Sequence, residues 1–397
     1  MPNLGSELAW LQPKPLSNSD SAILDAVRAV AAWAVMWSHL RTIFFADFQN
    51  LPHPSLLLKA IYFVTGFGHQ AVMVFFVLSG YLISSSIFRS LADRNWSSMD
   101  YAINRAARLY VVLIPGLLLG LLWDFLGSHW LGASGLYTHQ LGNLGSGIAR
   151  DNLTLPNFFG NILFLQTIFC PTFGSNGPLW SLSNEFWYYV LFPVLLFAAL
   201  AWMRGLWKRA LLLSAMVLLL ALFLQSAKLV GFLVWMSGSA LVLVHSRFFV
   251  RRKVVALFAF AATAVLLCAC LAWTRTGRTE ARSLDLILGI AFALFLFCSL
   301  QLRIGTQSSW AGHVSHLCAG FSYSLYVLHF PFLLCLRAVI APWHRWEPDM
   351  PHLLLGLLLG MMTLTYAWLV SLVSEDKTKF ARGWIRTALQ NAMKYAA

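Results

Sequence analysis

Arg28 and His39 stand eleven residues apart in the apolar run LDAVRAVAAWAVMWSH, residues 24–39. At 100° per residue that separation is only about 20° from three full turns. A helix would therefore carry both on one face, about 16 Å apart along its axis. A cation at the start of a membrane span suits an anionic group at the surface. An imidazole about midway down suits proton removal from a hydroxyl. Asp25, one turn before Arg28, is placed to orient the guanidinium. The plainer use of the same pair is structural, with Arg28 snorkelling to headgroups and His39 making an interhelical hydrogen bond.

Three other groups carry ionisable side chains in or beside apolar stretches, where such groups are costly and point to function by default. Glu185 lies in LWSLSNEFWYYVLFP with Ser181 and Tyr189 at i−4 and i+4, one helical face. A buried carboxylate there needs partners. It fits hydrogen bonding to an imidazole, orienting an acceptor or bracing helices. Tyr323, Tyr326 and His329 follow one another at intervals of three in SYSLYVLHFP, again one face, with Pro331 loosening the helix nearby. Interhelical hydrogen bonding and catalysis both fit them. Arg105 and Arg108, at i and i+3 where an apolar run starts, suit phosphates and equally suit ordinary membrane topology. Nearby, FFVLSGYLI offers Ser79 and Gly80, small residues that let helices approach closely.

These residues need a scaffold, and the composition says which. Of 397 residues, 59% are hydrophobic and 11% charged, against about 25% charged in soluble domains. Apolar runs recur near the ~20 residues that cross a bilayer, without the short alternating segments of a barrel. The expected fold is an all-α polytopic membrane protein of about ten transmembrane helices. Spans are expected near 22–44, 60–88, 104–126, 179–203, 209–226, 229–246, 254–273, 284–301, 318–340 and 352–373. Residues 127–178, between spans three and four, form a long outer connection rich in Gly, Asn, Thr and His. Its FFGNILFLQ stretch is too short to span. The chain divides into an N-terminal cytoplasmic segment, 1–21, a transmembrane domain, 22–373, and a basic cytoplasmic tail, 374–397. The tail reads as a short amphipathic helix on an anionic inner leaflet.

Charge sets the orientation. Eighteen of the 28 Lys and Arg fall on the side that holds both termini and nine on the other, with Arg28 at the boundary. That bias puts both termini in the cytoplasm. Arg275, Arg278 and Arg282 go against it, clustering in an expected outer loop. The net charge of +13 comes from cations in short loops, as topology requires, and no basic tract or aromatic-interleaved face calls for nucleic acid. The six cysteines give no CxxC pair and no Cys/His ligand spacing, so neither a disulfide framework nor a metal is expected. The N-terminus lacks the pattern of a cleavable signal and reads as a retained span.

Taken together, the stretches resemble the acyltransferase 3 family of membrane O-acyltransferases through most of the chain. LDAVRAVAAWAVMWSH is similar to the family's LDGLRGIAALxVxxxH, including the Arg-x10-His spacing. FFVLSGYLI resembles FFxLSGFLI, and INRAARLYVVLIP resembles the RRxxRLxP element. FFGNILFLQ followed by GPLWSLSNEFWYYVLFP is similar to NLLFLQ…LWSLSxExxFYLLFP, and SYSLYVLHFP to SYxLYLxHxP. Two departures stand out. Met73 occupies the position where an acid often precedes FF, and Ala26 and Ala29 replace the glycines of LDGLRG.

The resemblance implies an acyl donor, usually acetyl-CoA, arriving from the cytoplasm. The acceptor it implies is a hydroxyl on a sugar or glycolipid-linked carbohydrate at the outer face of the cell membrane. The expected site has His39 and Glu185 for catalysis, His39 as base or transient acyl carrier. Arg28, Arg105, Arg108 and Ser79 are expected at the donor, and Tyr189, Tyr323, Tyr326 and His329 at the acceptor. The 127–178 connection is the expected acceptor contact. Two other function classes compete. A transporter or flippase of a glycolipid or small solute would use His and Glu as proton relays without acyl transfer. A membrane assembly partner would tolerate substitution of Arg28, His39 and Glu185.

Overall fold

The computed structural model describes residues 12–129, 136–137, 149–275, 281–302, 310–341 and 344–396. Outside these lie Arg278 and Arg303 of the topology count, residues 1–11 of the expected N-terminal segment, and 130–135 and 138–148 of the outer connection. The helices in chain order are α1 Asn18–Phe44, α2 Leu56–Val64, α3 Gly68–Ala92, α4 Ser98–His129, α5 Leu155–Ile162, α6 Leu179–Met203, α7 Trp207–Arg247, α8 Lys253–Thr274, α9 Ala281–Leu302, α10 Trp310–Gly320, α11 Ser322–Ile340, α12 Met350–Val373 and α13 Thr378–Ala396. Among the described residues, extended pairing is limited to isolated bridges such as Phe45 with Trp346. Nine helical segments there are long and apolar enough to cross a membrane. The protein is an all-α polytopic membrane protein.

The difference between nine and the expected ten lies in α7. Its 41 residues contain one non-helical residue, Gln225, at φ 63° and ψ 167°. A straight helix of that length would run about 62 Å, twice the ~30 Å of hydrocarbon. It is two spans joined at a kink, where the sequence divides 209–226 from 229–246. The expected span 60–88 is instead two helices, α2 and α3. Ser55 caps the first by accepting from the Leu58 N–H, and Gly66 and Gly68 punctuate the break. Asp349 caps α12 in the same way, and the His352 N–H it accepts holds its carboxyl below the usual carboxylate range.

The chain divides into two compact units, and helices α1, α3, α6 and α10 contribute to both. The first is Met1–Arg28, Val72–Ser97 and Asn184–His316; the second is Ala29–Ala71, Ser98–Ser183 and Leu317–Ala397. In the first, α9 packs on α7 and α8. Helices α3 and α7 meet backbone to backbone. A Cβ on Gly80 would strike the Trp235 carbonyl, and one on Gly238 would strike that of Val77. Two small residues thus set the closest approach, as they do in many membrane bundles.

In the second unit α11 is the buried element, packed on α4 and α12. Gly116 and Gly120 on α4 lie against Val327 and Pro331 on α11, each pair four residues apart. Trp123, Phe332 and Tyr366 join the three helices; the Trp123 indole N–H donates to the Tyr366 hydroxyl at 2.9 Å. Pro331 has no N–H, so the Val327 carbonyl one turn earlier loses its helical partner. The Asn176 side-chain amide donates to that carbonyl at 2.9 Å. The end of the long connection is pinned again beside it. Asp124, buried in α4, accepts from the Ser175 N–H at 2.7 Å and its hydroxyl at 2.6 Å.

The effect of substituting these residues follows from their contacts. Gly80→Leu should destabilise by about 3 kcal/mol or more, because a backbone carbonyl cannot move aside as a side chain can. Gly383→Ala, with nothing within 4 Å of its new methyl, should be neutral. Thermal loss of the monodisperse detergent-solubilised protein measures both, and a Gly80→Leu midpoint at the wild-type value would refute the contact. Asn176→Ala should cost about 1–3 kcal/mol by leaving a buried carbonyl unsatisfied. In a Pro331→Ala background, where the helix N–H is restored, that cost should shrink, and a double-mutant cycle with no coupling would exclude the explanation.

Candidate functional site

Helix α1 carries both Arg28 and His39, with the expected spacing in one unbroken helix. They fall in different units, and each has its own surroundings.

His39 is partly accessible, while His329 on α11 has no exposed surface. Nδ1 of His39 lies 2.7 Å from Nε2 of His329. The ring centroids are 5.0 Å apart with planes only 9° from parallel. Two coplanar rings joined nitrogen to nitrogen give that separation, whereas face-to-face stacking would bring the centres closer. The hydrogen bond therefore runs in the plane of both rings, along the lone-pair direction. The other nitrogen of His329, Nδ1, is 2.9 Å from the Leu325 carbonyl. The edge of Phe330 meets His39 at 5.3 Å. Among the described residues, Nε2 of His39 has no hydrogen-bond partner.

Of the three residues expected on one face of α11, Tyr326 and His329 are neighbours, with centroids 6.2 Å apart. The Tyr326 hydroxyl is held by the Pro178 carbonyl at 3.0 Å and by Ser181 Oγ at 2.6 Å. Ser181 is thus a partner of Tyr326, where its spacing had suggested Glu185. Tyr323 turns to a separate cluster: its hydroxyl donates to the Leu109 carbonyl at 3.3 Å and its ring faces the Arg108 guanidinium at 5.8 Å. Arg108 also pairs with Glu375 at 3.7 Å. The other oxygen of Glu375 accepts from the N–H and hydroxyl of Ser324, at 3.0 and 3.1 Å. Phe321, at the N-cap of α11, supplies no side-chain cap. A carboxylate from the 51-residue-distant tail does so instead, on the favourable pole of the helix dipole. Arg105 lies over the Tyr101 ring, 5.8 Å away.

In the first unit Glu185, Tyr189 and Ser79 come together. The Tyr189 hydroxyl donates to Glu185 Oε1, Ser79 Oγ is 3.3 Å from both, and the Trp235 indole N–H donates to Ser79 Oγ at 3.1 Å. Asp25 lies 3.6 Å from Arg28, one turn on, and 3.0 Å from His316.

Sequence reading missed three residues. Glu375 was folded into a tail read for its cations alone. Asn176 sits in a loop whose partner is 151 residues away. Lys228, one of the nine cations assigned to the outer side, is buried in α7 three residues after the kink, with Nζ donating to Asn184 Oδ1 at 2.6 Å. The signal available for Lys228 was its flanking apolar sequence, in which a charge is unusual. Among the described residues no three His, Cys, Asp or Glu side chains gather as metal ligands.

A partly accessible imidazole backed by a second one can remove a proton from a hydroxyl or attack a carbonyl carbon. No curated protein and no solved structure matches the chain. The family model described as an acyltransferase domain matches residues 21–372, a span that takes in every residue of the two clusters except Glu375. The chain belongs to the acyltransferase 3 family and is a multi-pass membrane acyltransferase.

Proposed function

We propose that the protein moves an acyl group, acetyl in the simplest case, from cytoplasmic acyl-CoA to a hydroxyl of a sugar or glycolipid at the outer face of the cell membrane. Both termini are on the cytoplasmic side in this reading. The observation that carries it is His39: partly accessible, one ring nitrogen engaged by His329 at 2.7 Å, the other uncommitted among the described residues. As the acceptor oxygen attacks the thioester carbonyl, Nε2 of His39 takes the hydroxyl proton. The carbon–sulfur bond breaks, and the leaving thiolate recovers that proton from the imidazolium. In the second route Nε2 attacks the carbonyl itself and the thiolate leaves; the acceptor hydroxyl then takes the acyl group from the ring, and its proton goes to the thiolate.

Arg28, Arg105 and Arg108 are proposed contacts for the donor's phosphates, as cations suited to charge-assisted hydrogen bonds. Ser79, Glu185 and Tyr189 form one hydrogen-bonded set, which supports their acting together, with Glu185 and Tyr189 orienting the acceptor.

Purified protein given labelled acetyl-CoA and candidate sugars should transfer label, whereas a transporter would not. His39→Ala should fold and bind donor but lose about 10²–10⁴-fold in turnover, the usual worth of a positioned base. Wild-type turnover in that variant would remove His39 from the chemistry. Arg28→Ala should raise the donor KM before it changes kcat, and an unchanged donor KM would count against its proposed contact.

A further inference from the structure

The Leu325 carbonyl, 2.9 Å from Nδ1 of His329, can only accept. A neutral imidazole carries a single N–H. His329 has no exposed surface, and a charged ring there would forfeit its hydration, so one N–H is the number to place. It goes to Nδ1, facing Leu325. Nε2 of His329 is then a lone pair, and it lies 2.7 Å from Nδ1 of His39 in the plane of both rings. His39 must meet a lone pair with a proton. Its own single N–H is therefore at Nδ1, and its Nε2 is left bare.

From this the geometry assigns His329 as the positioning residue of the reaction: it locks His39 in the Nδ1–H tautomer and hands the chemistry to Nε2. The assignment rests on the acyl-transfer reading of His39 and adds the direction of the proton. His329 touches neither donor nor acceptor in this role, since both its ring nitrogens are already engaged. When Nε2 of His39 takes the acceptor's proton, the ring becomes a cation with N–H at both nitrogens. The Nδ1–H bond to His329 then becomes charge-assisted and strengthens. An interaction stronger in the transition state than before it accelerates the step. No proton has to cross from one histidine to the other. The parts that hold His329 in register are also in view: Phe330 at the edge of His39, and Asn176 bonded to the Val327 carbonyl that Pro331 leaves open.

The test pairs kinetics with spectroscopy. His329→Leu removes the acceptor for Nδ1–H and should lower kcat by about 10²–10⁴-fold with the donor KM unchanged, as loss of the correct tautomer does in serine hydrolases. His329→Gln, whose amide oxygen can accept the same bond, should recover at least about tenfold of that loss. A kcat in His329→Leu equal to wild type would overturn the assignment. Independently, nitrogen-15 spectra of histidine-labelled wild-type protein in detergent, without substrate, should show His39 protonated at Nδ1 and bare at Nε2. Its signal is identified by its absence from His39→Ala. A proton on Nε2 would overturn the assignment even if neither His329 variant folds. If His39→Ala leaves acyl transfer intact while the spectrum shows the expected tautomer, the function has failed and the tautomer lock stands.

Discussion

Inside a bilayer a polar group cannot fall back on water, and every buried donor or acceptor must find its partner in the protein. That constraint accounts for most of the specific contacts in both units. Pro331 opens one carbonyl, and an asparagine is brought from a distant loop to close it. The first turn of α11 has no capping side chain of its own, and Glu375 comes from beyond α12 to supply one. Asp124 is held by both polar groups of Ser175. Each such pairing fixes a helix in rotation and in height, which apolar packing alone does poorly when lipid is as apolar as leucine.

The same constraint shapes the two clusters of ionisable groups. His39 and Glu185, both only partly accessible, are each engaged on one side. In the second unit, among the described residues, one ring nitrogen of His39 is left over. In the first, the carboxylate of Glu185 takes Tyr189 and Ser79 on a single oxygen. Close glycine contacts make these alignments possible. Gly80 sits next to Ser79, and the backbone approach it permits brings the Trp235 indole within reach of the Ser79 hydroxyl.

What could be read from the chain alone follows the same division. Helical periodicity and span length were local properties, so the all-α class, the Arg28–His39 spacing and the pairing of Glu185 with Tyr189 were legible. The join at Gln225 was legible as a division between spans but not as a kink without an intervening loop, because Gln225, Ser226 and Lys228 look like a loop. Partners far apart in the chain left no trace in spacing. Nothing near His39 announces His329, nothing near Ser181 announces Tyr326, and the acid of Glu375 is masked by the lysines that follow it. The second span broke at Gly66 and Gly68, which hydropathy alone ran through.

The separation between His39 and His329 is 290 residues. A chain threaded into the membrane from its N-terminus places α1 long before α11 exists. Through most of its synthesis, the nascent protein therefore lacks the 2.7 Å contact between the two rings. The paired imidazoles are thus a product of the nearly finished fold, among the last of its parts to come together rather than a property of α1 alone.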